Sequence, residues 1–175
     1  MKIDEALALI KPVPNFPHAG ILFQDITPLL SHPEGFSALV HALSNLDNDS
    51  GCIVAIEARG FIIGAALALH RGVGFVPVRK RGKLPRSIFQ EQYSLEYGDD
   101  CLEIHQDAFA EGSHALIVDD VLATGGTISA AINLVKKAGG TVKKVIVLIE
   151  IAELHGRQRI QAEHPHVTIE SLLTV

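Results

Sequence analysis

Cysteine is scarce in this 175-residue sequence: only Cys52 and Cys101 are present, and they lie far apart. Two distant cysteines fit neither a disulfide framework nor the ligand spacing of a metal site. We therefore expect two buried thiols in a reducing compartment. The histidines show no metal-binding spacing either. Their one close pair, His164 and His166, is separated by a proline that predicts a loop.

Basic residues are outnumbered by acidic ones, 15 against 20, which gives a formal net charge of −5. Most of the surface would repel a polyanion, which argues against a general nucleic-acid-binding role. Long apolar runs are absent as well, since none approaches the ~20 residues needed to cross a membrane. The first residues include Asp4 and Glu5 and do not resemble a signal peptide. These absences predict a soluble, cytoplasmic protein.

Hydrophobic residues make up 47% of the chain, which suits one compact domain with a core of its own. Five apolar runs predict strands, and helical patterns follow two of them directly. The strand candidates are residues 52–57, 73–78, 115–120, 142–150 and 167–173. This alternation predicts an α/β fold with a parallel sheet and helices on both faces. Between residues 81 and 101 the alternation gives way to a long polar segment, which is typical of a lid or binding loop.

The stretch LIVDDVLATGGTISAAINLV changes character three times. An apolar strand ends at Asp119 and Asp120, a loop of small and hydroxylic residues follows, and a helix begins after a glycine pair. Open α/β folds bind ligands at the carboxyl edge of the sheet, so both carboxylates are expected to face one crevice. The helix N–H groups and dipole predict a phosphate monoester site, with Thr124, Thr127 and Ser129 as candidate hydroxyl donors.

Two carboxylates beside a phosphate indicate that the ligand also offers hydrogen-bond donors or developing positive charge. A phosphorylated sugar offers both. Ribose hydroxyls can donate to Asp119 and Asp120, and an oxocarbenium-like centre forms when a group leaves the anomeric carbon. The alternative is a turn in which the acids only cap the helix, and a glycine loop alone is weak evidence against it.

The ordered combination of apolar strand, two acids, two variable residues and a small-Thr-Gly-Gly-Thr loop resembles the signature of the type I phosphoribosyltransferases. The loop residues here are Ala123, Thr124, Gly125, Gly126 and Thr127. Residues 16–173 also resemble the branch of that family that acts on adenine, through NFPHAGILFQDITPLL, EARGF, VRKRGKLP and YSLEYG in that order. The branch for 6-oxopurines commonly has an acid at the position of Ala123, which argues against that substrate class.

The resemblance identifies the segment EARG as a diphosphate-binding loop, made of Glu57, Ala58, Arg59 and Gly60. It implies a cis peptide bond near Glu57–Ala58. Arg59 would clamp diphosphate oxygens through charge-assisted hydrogen bonds. Without the resemblance, Arg59 could also be a surface arginine at the start of a helix.

The segment RKRGKLP places Arg79, Lys80, Arg81 and Lys83 within five residues, directly after a predicted buried strand. Like charges at that density would repel one another unless an anion compensates them. A solvated patch or a localisation signal would have the same composition. The resemblance implies that Arg79, Lys80 and Lys83 bind diphosphate, and that part of the segment reaches the site of a neighbouring subunit. A homodimer would follow.

For the base, the resemblance points to residues that the sequence alone would assign to ordinary core packing. Ile21, Leu22, Phe23 and Gln24 would lie on one face of adenine and Ile151 on the other, while backbone groups read the amine. Position 24 usually carries arginine in the family, so the resemblance supports no side-chain role for Gln24.

Glu96 lies in the polar segment, and Tyr97 follows it. A carboxyl group beside a bound purine can exchange a proton with the ring as the glycosidic bond forms. Sequence alone favours a solvated loop glutamate. The resemblance instead implies the catalytic role for Glu96, with Tyr97 as part of the lid.

These features predict the type I phosphoribosyltransferase fold in a single domain. We expect a five-stranded, mostly parallel sheet, a small hood from about residues 1–30 and 151–175, and a flexible lid at about 82–100. The implied reaction is a purine-salvage step that converts adenine and phosphoribosyl diphosphate into AMP and diphosphate. Mg²⁺ is the implied cofactor, held by substrate oxygens and waters rather than by a protein metal site.

Two alternatives stay open at this point. One is an enzyme of the same fold that acts on another base, such as xanthine or hypoxanthine. The other is a regulator that binds phosphoribosyl diphosphate without turning it over. A regulator of that kind would be expected to carry a nucleic-acid-binding surface, and this acidic chain has no helix-turn-helix extension.

Overall fold

The computed structural model describes the backbone of residues 1–95 and 98–175 and the side chains of residues 1–93 and 100–175. The chain divides into two compact units, Met1–Asn45 and Leu46–Val175. Within the described ranges, no helix is long and apolar enough to cross a membrane. The single-domain organisation with a hood stays a prediction.

The N-terminal unit consists of three helices and a β-hairpin. Its elements are α1 (Ile3–Leu7), β1 (Lys11–Pro14), β2 (Leu22–Asp25), α2 (Thr27–Ser31) and α3 (Pro33–Asn45). The hairpin strands are antiparallel, with Val13 opposite Phe23. Buried side chains recur along α3 at Leu39 and Leu43, the spacing that places one face of a helix against a core. That face packs on α1 and α2.

In the described part of the C-terminal unit, the strands form one seven-stranded sheet. Its strands are β3 (Cys52–Ile56), β4 (Gly74–Lys80), β5 (Ile88–Leu95), β6 (Gly98–His105), β7 (His114–Leu122), β8 (Thr141–Glu150) and β9 (Thr168–Thr174). Its helices are α4 (Arg59–Arg71), α5 (Gly126–Lys137) and α6 (Gly156–Glu163), with a short 3-10 helix at Ala152–Leu154. The strand order is β5-β6-β4-β3-β7-β8-β9. The predicted α/β class is confirmed.

The strand count differs from the expected five. All five apolar runs form strands, and these five pair in parallel. The two additional strands, β5 and β6, form an antiparallel hairpin, and β6 joins it to the edge of β4. Part of the segment that we expected to be a polar connection is therefore regular sheet. Leu102 and Ile104 of β6 are fully buried, which explains why the hairpin adds to the sheet.

Helices cover both faces of the sheet, as predicted. Side chains alternate between faces along β3. Gly64 of α4 packs against Ile53 and Ala55, whereas Val54 and Ile56 belong to the same core cluster as the buried side chains of α5. Glycine is required at position 64 because a Cβ there would lie only 3.3 Å from the Phe75 ring and closer still to Ala55.

Two strands end side by side at the carboxyl edge of this sheet. In the parallel pair β3 and β7, Ala55 lies opposite Val118. The loop that leads from β3 into α4 and the acid pair that follows Val118 are therefore neighbours, although about sixty residues separate them along the chain. This register creates the site described next.

Candidate active site

Asp119 and Asp120 are buried where β7 meets the start of α4. Asp119 is 8% exposed and Asp120 is 5% exposed. β7 does not end at Asp120, as we expected from the sequence, but continues to Leu122. The Asp120 carboxylate accepts a hydrogen bond from Arg59 Nε, and the Asp119 carboxylate accepts one from the Asp120 backbone N–H at 2.9 Å. The structure thus brings Arg59 and both acids together.

Burial raises the pKa of Asp119 well above its ordinary value, and the neighbouring Asp120 charge adds to this shift. Both effects disfavour the ionised form of Asp119, because burial removes the water that would solvate its charge and the Asp120 charge repels it. The nearby Arg59 acts in the other direction. A cationic centre or a hydroxyl donor placed beside the pair would favour the ionised form of Asp119.

Gly60 fits against this acid pair for a steric reason. A Cβ at position 60 would lie 2.6 Å from Asp119 Oδ1 and 3.4 Å from the Val118 carbonyl oxygen. Only glycine lets the first turn of α4 approach β7 this closely. The EARG segment is thus connected to the acid pair through Arg59 and through the bare backbone of Gly60.

The predicted cis peptide bond between Glu57 and Ala58 is confirmed. It lies immediately before α4, whose N-cap residue, Ala58, makes no side-chain capping hydrogen bond. The first N–H groups of a helix have no partner within the helix, so an uncapped N-terminus suits an anion. The EARG loop has that geometry.

Glu57 organises the start of the basic segment. Its carboxylate accepts hydrogen bonds from Arg79 Nε at 3.1 Å and Nη2 at 3.2 Å, and from the Lys80 backbone N–H at 3.0 Å. The Arg79 hydrogen bond lowers the pKa of Glu57. Arg79 also donates to the Lys83 carbonyl at 3.2 Å. The EARG and RKRGKLP segments are therefore directly linked.

Lys80 has a second acidic neighbour. Its ammonium group pairs with Asp100 and donates to the Tyr93 hydroxyl at 2.9 Å. Burial alone would lower the pKa of Lys80, but the hydrogen bonds to Asp100 and Tyr93 outweigh it and raise the pKa. Our argument that the basic residues need an external anion is thus wrong for Arg79 and Lys80, because Glu57 and Asp100 compensate them. Arg81 and Lys83 are exposed.

The small-residue loop leads from β7 into α5. Gly125 has φ of 83°, in the left-handed region that favours glycine, and it forms an N-cap without a side-chain capping bond. A small cavity of about 110 Å³ is lined by the loop and by Asp119. Its other lining residues are Val121, Leu122, Ala123, Thr124, Gly125, Thr127 and Ile128. The uncapped start of α5 and the two threonine hydroxyls suit a phosphate group.

Gly156 is part of this arrangement and was missed by sequence reasoning. A Cβ at Gly156 would lie 2.9 Å from the Gly125 nitrogen and 2.8 Å from Leu122 Cδ1, and a Cβ at Gly125 would lie 2.7 Å from the Gly156 carbonyl oxygen. Two glycine backbones thus pack directly on each other. No local pattern indicates this contact, because it joins positions that are distant in sequence.

The hydroxyl group of Ser129, a candidate donor to the phosphate, already has two protein partners. Ser129 is 3% exposed, and its hydroxyl group is bonded to Glu163 and to His164, with the second contact at 2.8 Å. His164 and His166 lie in the loop that follows α6, as the sequence indicated.

The residues assigned to adenine lie in both units. Ile21 and Leu22 are exposed, whereas Phe23 and Gln24 are half-buried in the N-terminal unit. Ile151 belongs to the C-terminal unit, where its N–H donates to the Leu122 carbonyl at 2.9 Å. The role of these five residues stays a prediction. Glu96 and Tyr97 lie outside the described residues.

Metal ligands do not cluster in the described part of the chain: no group of three or more His, Cys, Asp or Glu side chains could hold an ion. Among the cavities that are larger than the loop cavity, two of about 650 and 610 Å³ lie beside α3 and at the amino edge of the sheet. Neither is lined by the acid pair or the EARG segment.

Comparison with known proteins gives a consistent result. A family model described as a phosphoribosyl transferase domain matches residues 25–170. An adenine phosphoribosyltransferase of Nocardioides sp. is 50% identical over 99% of this chain and 95% of its own length. The crystal structure of the Thermoanaerobacter pseudethanolicus enzyme of that name has a TM-score of 0.93, with 45% identity over 99% of this chain and all of that one. The Giardia lamblia enzyme complexed with 9-deazaadenine has a TM-score of 0.92, with 36% identity over 100% and 98% of the two chains.

Proposed function

Because this chain belongs to the phosphoribosyl transferase family, we propose that it transfers the 5-phosphoribosyl group from phosphoribosyl diphosphate to adenine, giving AMP and diphosphate. The observation that carries the proposal is the buried acid pair between two uncapped helix starts, those of α4 and α5. The substrate has two anionic groups joined by a ribose, and the site has two anion-binding ends joined by carboxylates.

The 5-phosphate binds at the loop formed by Ala123, Thr124, Gly125, Gly126 and Thr127. The diphosphate binds at the EARG loop, with Arg59, Arg79, Lys80 and Lys83 as its cationic partners. Arg59 pairs with Asp120. A bound diphosphate offers Arg59 a stronger, bidentate partner, and the exchange leaves Asp120 to accept hydrogen bonds from the ribose hydroxyls.

In the transfer step, the bond from ribose C1 to diphosphate breaks while a bond from adenine N9 to C1 forms. Positive charge develops on the ribose as the leaving group departs. Asp119 and Asp120 stabilise this charge more than they stabilise the neutral ground state, which is the condition for acceleration. Glu96 accepts the proton that N9 loses.

Mg²⁺ fits this site through the substrate. The cationic side chains at the diphosphate end cannot ligate a metal, and Asp119 supplies the only carboxylate that lines the loop cavity among the described residues. When bound, Mg²⁺ neutralises the diphosphate and makes it a better leaving group. Its ligands would be phosphate oxygens and waters, with Asp119 and Asp120 nearby.

Adenine is favoured over other bases by Ala123, since a 6-oxopurine site of this family carries an acid there. The 9-deazaadenine bound by the Giardia lamblia relative supports the same choice. Xanthine or hypoxanthine would be the substrate of the first alternative. A regulator that only binds phosphoribosyl diphosphate would form no nucleotide.

The test mixes the protein with Mg²⁺, phosphoribosyl diphosphate and one base at a time, and measures nucleotide and diphosphate formed. AMP from adenine alone is the expected product. IMP or XMP as the main product would replace the substrate assignment. Binding of phosphoribosyl diphosphate without any nucleotide would identify a regulator instead.

A homodimer and a cytoplasmic location belong to the same proposal. Ile62, Ala65 and Leu69 form an exposed apolar stripe along α4, and Leu69 is 85% exposed. The stripe continues from the EARG loop, so a second copy docked on it would lie beside the diphosphate end. Both cysteines are unpaired thiols, which suits a reducing compartment.

Sedimentation tests the dimer. The unmodified protein is expected to sediment as a dimer at micromolar concentration, and Leu69→Glu is expected to shift it to the monomer because it places a charge on the stripe. Gln158→Glu, on the exposed face of α6, is the matched control and should leave the dimer intact. A monomeric unmodified protein would overturn the assignment.

A further inference from the structure

A chain of polar side chains connects α5 to the end of α6, away from the acid pair. The Lys136 ammonium lies 3.2 Å from His164 Nδ1, and His164 Nε2 lies 2.8 Å from Ser129 Oγ. The Ser129 hydroxyl is bonded to Glu163, which also accepts from Arg159 Nε at 3.0 Å. We call Lys136, His164, Ser129 and Glu163 the α5–α6 relay.

The partners fix the direction of every hydrogen bond in the relay. An ammonium group only donates, so Nδ1 of His164 accepts from Lys136. Nε2 therefore carries the imidazole proton and donates to Ser129. The serine hydroxyl in turn donates to Glu163, because an ionised carboxylate only accepts. The relay is complete only when His164 is neutral and has its proton on Nε2.

The relay ends next to the phosphate loop. Ser129 lies in the first turn of α5, three residues after Gly126. α6 holds this region at its other end as well, because Gly156, its first residue, packs on the backbone of Gly125. Arg157 then ties α6 to the sheet through hydrogen bonds to Glu150, at 2.8 Å, and to the Ile169 carbonyl, at 2.7 Å.

We propose that Ser129, Glu163 and His164 are positioning residues that hold the start of α5, and with it the phosphate loop, in the geometry that binds the 5-phosphate. α6 is the rigid support: Gly156 fixes the loop, and the relay fixes the first turn of α5. The inference rests on the proposed function only in that the loop binds a phosphorylated ribose. It does not depend on which base is used.

Protonation of His164 breaks the relay. The charged and titratable groups that face the imidazole are Lys136 of α5 and Glu163 of α6, with Arg159 behind Glu163. Burial lowers the pKa of His164, and Lys136 lowers it further. A proton on Nδ1 would point at the Lys136 ammonium, and these groups repel. The relay is therefore intact at neutral pH and is lost as the pH falls through the lowered pKa of His164.

The test measures the dissociation constant of ribose 5-phosphate by calorimetry between about pH 5 and 8, the range in which histidine titrates. His164→Gln keeps an acceptor for Lys136 and a donor for Ser129 but cannot titrate. At neutral pH it should bind like the unmodified protein. At acid pH the unmodified protein should bind about three- to ten-fold more weakly than His164→Gln, the effect expected for one lost hydrogen bond.

The decisive quantity is the ratio of the dissociation constants of the unmodified protein and His164→Gln. The phosphate of the ligand also titrates near pH 6, but it affects both proteins equally. Ser129→Ala removes the middle of the relay, so it should weaken binding of ribose 5-phosphate by about the same factor at every pH. His166→Gln, two residues from His164 and exposed, is the matched control and should behave like the unmodified protein. A thermal melt checks that each variant is folded.

A ratio that stays constant with pH would overturn the proposal, and so would unchanged ribose 5-phosphate binding by folded Ser129→Ala. No binding of ribose 5-phosphate by the unmodified protein would overturn it too, since the loop would not be a phosphate site. Failure of the proposed function is a different result: ribose 5-phosphate binds with the expected pH dependence, but no AMP forms from adenine.

Discussion

Gly60 and Gly64 lie one turn apart on α4, and each fills a space that a methyl group would overfill. A Cβ at Gly60 would press on the Asp119 carboxylate, whereas a Cβ at Gly64 would press on Ala55 and Phe75 in the core. Gly60 is therefore required by the packing of the site, whereas Gly64 is required by the packing of the core.

Alanine substitutions at these positions should have different effects. Gly60→Ala and Gly64→Ala should each lower the free energy of unfolding by ~1–3 kcal/mol through overpacking. Only Gly60→Ala should also reduce kcat strongly, because it displaces Asp119. Urea unfolding and steady-state kinetics on both variants provide the comparison. Equal kcat for the two variants would show that Asp119 is not held by the start of α4.

Asp120→Asn tests the acid pair. The substitution keeps the size of the side chain but removes the charge that pairs with Arg59 and that, in the proposed function, faces the ribose. Turnover should fall more than the affinity for phosphoribosyl diphosphate, because the charge matters most in the transition state. Pre-steady-state rates and equilibrium binding separate the two quantities. Equal losses in both would reduce the acids to a structural role.

Glu96→Gln tests the proton acceptor. Glutamine keeps the size and polarity of the side chain but cannot accept a proton, so the single-turnover rate should drop by ~10²–10⁴-fold. Affinity for phosphoribosyl diphosphate should be nearly unchanged. Single-turnover measurement is needed because product release can limit the steady-state rate. A variant with the rate of the unmodified protein would mean that N9 loses its proton to water or to another group.

At the scale of residues, the sequence predicted those groups whose neighbours are local. The acid pair, the glycine loop and the EARG segment each lie within a few residues of a strand end, and the resemblance assigned their roles. Ser129 illustrates the limit. Its hydroxyl looked available for a phosphate because the sequence cannot show that Glu163 and His164 reach it from another helix.

Among the elements, the five parallel strands were predictable because each is an uninterrupted apolar run, as expected for strands buried on both faces. The β5–β6 hairpin was not, because its polar and charged residues hide the alternation of an edge strand. Leu102 and Ile104 show the two-residue period, and the polar and charged residues that precede them suggested a loop. The charges have structural partners: Asp100 pairs with Lys80, and Glu103 accepts from Gln90 at 2.9 Å.

Gly156→Ala tests α6 as a support for the loop. The new methyl group would lie against Gly125 and Leu122 and push the loop outward. We expect weaker binding of ribose 5-phosphate, together with a loss of ~1–3 kcal/mol in the free energy of unfolding. Gly139→Ala is the control. It is strained by a φ of 88° but has no neighbour within 4 Å, so it should lower stability without changing ligand affinity.

For the whole molecule, paired glutamates predict how stability depends on pH. Hydrogen bonds from Arg157 lower the pKa of Glu150, and those from Arg79 lower the pKa of Glu57. Each folded-state pKa lies below its unfolded value. These pairs therefore contribute fully above the ordinary glutamate pKa, and their contribution is lost as the pH falls through it toward the folded-state pKa.

Glu150→Gln should make the free energy of unfolding less dependent on pH between about pH 5 and 3, where glutamate titrates in the unfolded chain. Urea unfolding across that range measures the slope. Glu153→Gln, an exposed position three residues later, is the matched control and should keep the slope of the unmodified protein. An unchanged slope in Glu150→Gln would mean that the Arg157 pair does not contribute to acid sensitivity.

The position of β3 in the middle of the sheet has a consequence for synthesis on the ribosome. β3 can pair with β4 soon after both emerge. Its other neighbour is β7, so Cys52 cannot pair with Ala115 until β7 has been synthesised. Parallel pairings over such separations close slowly, because the loop entropy is lost before the contacts form. Until β7 and α5 have left the exit tunnel, the side chains of Val54 and Ile56 are not buried by α5. A nascent chain stalled before that point presents the apolar surface that a chaperone would hold.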